Sequence, residues 1–218
     1  MTETKMTEKE SLELISKMIN KAQNRYHDSG TGPILWGTVI SICSLVTYFR
    51  ILYQFSLPFD IWYLTFIAIV PQIFIAIREN RLNKARGYDD DILDAVWMVF
   101  GMSIFLLIFI NANIVSTLQP VIEFYKTKSA VSTVPNYNSF ATSFFLLLYG
   151  IPTIITGTCR KMKPMLYGGV ICWICCIVSV FTDITWDMLL TAIAAISAWL
   201  IPGILLRVKY TKLQPTNV

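Results

Sequence analysis

The run AVWMVFGMSIFLLIFI, from Ala95 to Ile110, holds no charged residue and one hydroxyl group, and the next charge arrives only at Glu123. A helix crosses the roughly 30 Å hydrocarbon core of a bilayer with about 20 mostly apolar residues. Read over 92–114, this stretch is such a helix. Five further segments of the same kind lie at about 33–53, 59–78, 139–157, 165–182 and 188–206. The fold class expected is therefore all-α, a polytopic membrane bundle of six transmembrane helices. The membrane domain is expected over 33–208, after a cytoplasmic helix and linker at 1–32 and before a tail at 209–218.

Composition points the same way. Of 218 residues, 55% are hydrophobic and 15% charged, with a mean hydropathy of +0.56. A soluble domain carries about a quarter charged residues. The deficit excludes a disordered chain, a secreted disulfide scaffold and an ordinary soluble enzyme. The first apolar run begins at Pro33, behind a charged stretch and without a small-residue cleavage site, so a removable signal peptide is not expected.

Basic residues set the expected orientation. With the N-terminus in the cytoplasm, Lys5, Lys9, Lys17, Lys21, Arg25, Arg78, Arg81, Lys84, Arg86, Arg160, Lys161, Lys163, Arg207, Lys209 and Lys212 lie inside. Only Arg50, Lys126 and Lys128 lie outside. This bias follows the positive-inside rule and puts both termini in the cytoplasm. The formal net charge of +4 is thereby explained by topology, and no nucleic-acid partner is expected beside the lipid bilayer.

Chemistry-bearing motifs are sparse. Cys172, Cys175 and Cys176 cluster inside the fifth apolar segment without a histidine or carboxylate beside them, and the chain's one histidine, His27, precedes the first span. Zinc needs four convergent ligands, so these thiols read as small polarizable packing residues. The run Asp89-Asp90-Asp91 lacks the alternating oxygens and distal Glu of a calcium loop and reads as a charged helix start favoured by the helix dipole. Asp94 and Asp187 fall near the starts of the third and sixth spans, where both are expected to reach the interface. No span centre carries a charge, so a proton pump and an intramembrane hydrolase both lose weight. No catalytic residue, metal or cofactor is expected.

An internal pattern offers more. The first span opens Pro33-Ile34-Leu35-Trp36-Gly37, the fifth Pro164-Met165-Leu166-Tyr167-Gly168, and the third contains Val99-Phe100-Gly101. The even spans each carry a proline before basic residues: Pro71, Pro152 and Pro202. Gly37 to Pro71 and Gly168 to Pro202 are both 34 residues, whereas Gly101 to Pro152 is 51, a surplus of 17 assigned to an external insertion around 115–138. Three hairpin repeats follow as an expectation. Proline removes a helix hydrogen bond and kinks the chain, while glycine admits a neighbouring backbone. The six positions Gly37, Pro71, Gly101, Pro152, Gly168 and Pro202 form a candidate vestibule layer open to the cytoplasm.

Before the first span, Thr7-Glu8-Lys9-Glu10 has the form of a capping box. Leu12, Ile15, Met18, Ile19, Ala22 and Tyr26 then make an apolar seam on a helix of about 20 residues. That seam is the candidate face for a protein partner or a second copy of the chain.

Glu10-Ser11-Leu12, Ile15, Met18-Ile19, Leu35-Trp36-Gly37, Leu148-Tyr149-Gly150-Ile151-Pro152 and Gly168-Gly169-Val170-Ile171-Cys172-Trp173 resemble a family of small six-span bacterial inner-membrane proteins with no established activity. The resemblance implies the bacterial cytoplasmic membrane and transfers no functional residue. The leading expectation is a non-enzymatic regulatory or interaction protein acting through its N-terminal helix. The alternative is a small-solute transporter or pore using the glycine–proline layer.

Overall fold

The computed structural model describes residues 12–13, 30–82, 88–128 and 138–213. Every regular element among them is helical: α1 (Thr31–Tyr53), α2 (Tyr63–Leu82), α3 (Tyr88–Lys128), α4 (Asn138–Cys159), α5 (Lys163–Ser179), α6 (Ile184–Ala195) and α7 (Ile201–Leu213). A π-helical turn, Ile196–Leu200, joins α6 to α7 in one continuous rod. Four helices are long and apolar enough to cross a membrane: Thr31–Tyr53, Asp90–Tyr125, Phe140–Cys159 and Ile184–Lys209. The chain is therefore a helical, multi-pass membrane protein by length and composition. Two expected spans fall short of that standard. The α2 helix ends in Arg78, Glu79 and Arg81, and α5 has 17 residues.

Side-to-side order follows from the packing. The α2 helix lies against α1, α1 against α6, α6 against α5, α5 against α4, and α4 against α3. The four central helices form the core, with α2 and α3 as flanks. Glycine makes the central contacts close. A Cβ on Gly37 would lie 2.5 Å from the backbone nitrogen of Leu200, and one on Gly168 would lie 2.5 Å from Ala198 Cα. Both glycines press on the same π turn from different helices. In that turn Ile201 N–H donates to Ile196 carbonyl, five residues back, and Pro202 follows with no N–H at all. A π turn combined with proline leaves a widened stretch of helix, and two glycine faces fill in around it.

The outer surface is apolar where lipid would meet it. Phe105, Phe109, Ile67, Phe74 and Ile177 are all exposed. The third helix runs well past the expected boundary at 114. Its 41 residues reach about 61 Å at 1.5 Å per residue, twice a hydrocarbon core. The first half of the expected insertion is thus a continuation of α3 through Pro120, because nothing in Val115–Gln119 stops a helix. The last span begins at Ile184, four residues earlier than expected. At the end of the bundle that carries Arg160 and Arg207, Asp90 in the first turn of α3 pairs with Arg160 at 3.6 Å. That places at least one of the three consecutive aspartates at a charged helix start, as its sequence suggested.

Candidate functional site

The sequence-derived layer does not hold together as a single lining. Gly37, Pro152, Gly168 and Pro202 are buried in the four-helix core, Pro152 and Pro202 completely. Pro71 is exposed on α2, and a Cβ on Gly101 would find nothing within 4 Å. Gly101 is a lipid-facing position, not a point of close approach. The reason is the side-by-side order: α2 and α3 flank the core, so their glycine and proline need not face it. Of the N-terminal seam, Leu12 is helical and 67% exposed, while Ile15, Met18, Ile19, Ala22 and Tyr26 lie outside the described residues.

Two polar levels sit inside the core instead. Nearer the basic end, Trp199 Nε1 donates to Thr153 Oγ1 at 2.9 Å, and Trp97 Nε1 donates to Thr156 Oγ1 at 3.1 Å. Both threonines donate in turn to α4 carbonyls one turn back, Tyr149 and Pro152, at 2.7 Å. The rings of Trp97, Phe100, Tyr149 and Trp199 pack edge to face and tilted, with Tyr149 and Trp199 centroids 4.8 Å apart. Each buried indole thus has its hydrogen bond, worth about 1 kcal/mol net, and α3 is tied to α4 and to the π turn through Trp97 and Phe100.

The second level lies toward the opposite end and centres on Asp187, which is 0% exposed. Its Oδ1 accepts from Thr182 Oγ1 at 2.6 Å, while Oδ2 is buried without a hydrogen-bond partner. No ion pair reaches it among the described residues. The first turn of α6 supplies a dipole favourable to an anion, worth about 0.3–1 kcal/mol. That is small against the several kcal/mol needed to strip water from a carboxylate. Sequence reading placed Asp187 at the interface because it begins a span. In the structure Asp187 is still in the first turn of its helix, which starts at Ile184, but its side chain is buried and Thr182 of the preceding turn donates to it.

Buried hydroxyl groups occur at that level and in the turns below it. Helix register places them: Gly168 beside Ser197–Ala198 and Cys172 Sγ 3.8 Å from Ala194 carbonyl set Ser179 of α5 level with Asp187 of α6. Ser143 of α4 bonds Ser179 at 2.7 Å. Gly37 beside Leu200 and Gly203 beside Ile34 set Arg50 of α1 level with Asp187, with Thr47 about one turn deeper and Ser44 nearly two turns deeper. Ser44, Thr47, Ser143, Ser179 and Thr191 are all buried. These small polar residues were visible in the sequence, but no periodicity singled them out from packing residues.

Cys43, Cys172, Cys175 and Cys176 occupy the same core, whereas Cys159 is exposed. Cys43 and Cys172 are 0% exposed, and Cys176 Sγ donates to Ser143 carbonyl at 3.2 Å. They pack as small side chains between helices. Comparison with family models, curated proteins and solved structures finds no match to this chain.

Proposed function

We propose that the chain is a six-span protein of the bacterial inner membrane with both termini in the cytoplasm, and that it moves a small polar solute through its four-helix core. The observation that carries the transport reading is Asp187, a carboxylate with no solvent exposure in the first turn of a candidate membrane span. An ionisable side chain costs several kcal/mol there and is retained where a pathway or coupling step uses it. Counting α2 and α5 as spans is supported by their surroundings. The α5 helix is held between α4 and the α6–α7 rod, both long enough to cross, and α2 lies along α1. The basic-residue bias supports the orientation, and the family resemblance supports the bacterial membrane. No catalytic step enters the reading. A partner-binding role for the N-terminal seam rests on sequence alone, and the enclosed carboxylate favours transport over it.

The test is stopped-flow swelling of proteoliposomes exposed to a panel of small polyols, amides and zwitterionic amino acids. Uptake of at least one solute is expected to be about tenfold faster than in protein-free vesicles and strongly reduced in Asp187→Asn. Rates equal to protein-free vesicles for the whole panel would sink the reading.

A further inference from the structure

The α6–α7 rod is weakest where it crosses the core. Ile201 N–H donates to the Ile196 carbonyl, five residues back, and position 202 is proline. The Ser197 carbonyl therefore receives neither the α-type bond, which would come from Ile201, nor a π-type bond, which would come from position 202. The Ala198 carbonyl loses its α-type donor to the same proline. Two successive helical bonds missing from one rod make that level the place where it bends most easily. Glycines show which helices would move together. A Cβ on Gly30 would lie 2.5 Å from the Gly203 carbonyl oxygen, and one on Gly203 would lie 2.9 Å from the Ile34 nitrogen. The start of α1 and α7 are thus in contact backbone to backbone. So are α4 and α5: a Cβ on Gly157 would lie 2.7 Å from the Leu166 nitrogen, and one on Gly169 would lie 3.1 Å from the Ile154 nitrogen. Close contacts of this kind hold membrane helices together as pairs.

Contact between the two pairs is uneven along the length of the core. On the side of the π turn away from the basic end, α6 packs on α1, α5 and α4 and so bridges both pairs. At the turn itself, Gly168 rests on Ser197 and Ala198, and Trp199 Nε1 donates to Thr153 Oγ1 at 2.9 Å. On the basic side, among the described residues, α7 packs on α1, only lightly on α5 and not on α4. The α1 helix packs on neither α4 nor α5. We propose that the π turn is a hinge, about which α7 swings with the start of α1 away from α4 and α5. The basic end of the core then opens while the outer end, held by α6, stays closed. The arm from Pro202 to Leu213 is about 18 Å long at 1.5 Å per residue. Rotating it by about 10–20° moves its tip by about 3–6 Å, a hinge motion taken up by a few element-terminal residues. The Trp199–Thr153 bond holds the closed form, because it joins the hinge to α4.

As an inward gate the hinge rests on the transport reading, but its motion is measured without flux, so the two can fail separately. In a chain lacking native cysteines, spin labels are placed at exposed positions and the protein is held in lipid nanodiscs. Lys163 and Thr211 span the basic end, and Tyr53 and Phe181 span the outer end. Pulsed electron–electron double resonance is expected to give two distances about 3–6 Å apart for the first pair and one distance for the second. Pro202→Ala returns an N–H to the Ala198 carbonyl and is expected to merge the two distances into the shorter one. Thr153→Val, close in shape, removes the acceptor of Trp199 and is expected to enlarge the longer component about twofold or more. A basic-end distribution as narrow as the outer-end one overturns the proposal. So does a longer component that either variant leaves untouched, or a second distance at the outer end as well, which would mean that the whole bundle loosens. If Pro202→Ala fails to fold, the wild-type distances and Thr153→Val decide. Two distances at the basic end without solute flux would leave the hinge standing and remove only the transport reading.

Discussion

Gly168→Leu will prevent a stable bundle from forming, while Gly101→Leu will be tolerated. A side chain at Gly168 would meet the Ala198 Cα at 2.5 Å and the adjacent Ser197 carbonyl. Both are backbone atoms of the π turn, and neither can rotate away. Overpacking a core typically costs about 1–3 kcal/mol and more where backbone must move. Here α5 would have to separate from the α6–α7 rod along its length, so about 3 kcal/mol or more is expected. At Gly101 the added atoms reach open, lipid-facing space. Removing a mid-helix glycine there is expected to be neutral or to gain up to about 1 kcal/mol. Thermal unfolding of the two variants in the same detergent gives the comparison. Equal Tm values would mean that the glycine contacts do not set the packing of the core.

Trp199→Ala is expected to be nearly as damaging. Trp199 is 3% exposed and joins the π turn to α4 through Thr153 and to α3 through the rings of Trp97 and Phe100. Emptying such a site costs about 3–5 kcal/mol from lost contacts and the cavity left behind. Trp199→Phe keeps most of the ring packing and loses the indole hydrogen bond, leaving Thr153 Oγ1 one donor poorer, for about 1–2 kcal/mol. Unfolding by SDS titration, followed by tryptophan fluorescence, is expected to rank wild type, then Phe, then Ala. If the Phe and Ala variants unfold together with wild type, the aromatic cluster is not a structural joint.

What the sequence made legible is what depends on hydrophobic length. Uncharged runs such as 95–110 identify helices because a bilayer imposes a minimum apolar span, and the helices appear where those runs lie. Gly37 and Gly168 were also legible as close-approach points, since each follows an aromatic step at the entry of its helix. Gly101 shares that local pattern and has no such contact. Local sequence does not say which face of α3 packs on the core, and Gly101 lies off that face. The π turn was not legible because no residue pattern in Ile196–Leu200 marks i→i+5 bonding, and the glycines that pack on it come from other helices. The burial of Asp187 was not legible for a related reason. That burial is decided by where α6 begins and by Thr182 in the turn before it, and neither is written in hydropathy.

The central claim is that Asp187 lies enclosed by the helices of the core and is not at the membrane surface. In a chain lacking native cysteines, Asp187→Cys and Asp183→Cys are each treated with a membrane-impermeant maleimide, from either side of the membrane. Asp183 is exposed on the capping turn, and its cysteine is expected to react within minutes from the outer face alone. The cysteine at 187 is expected to stay unmodified from both faces and to react only after denaturation in SDS. Labelling at 187 as fast as at 183 would contradict the account, since the carboxylate would then stand in water.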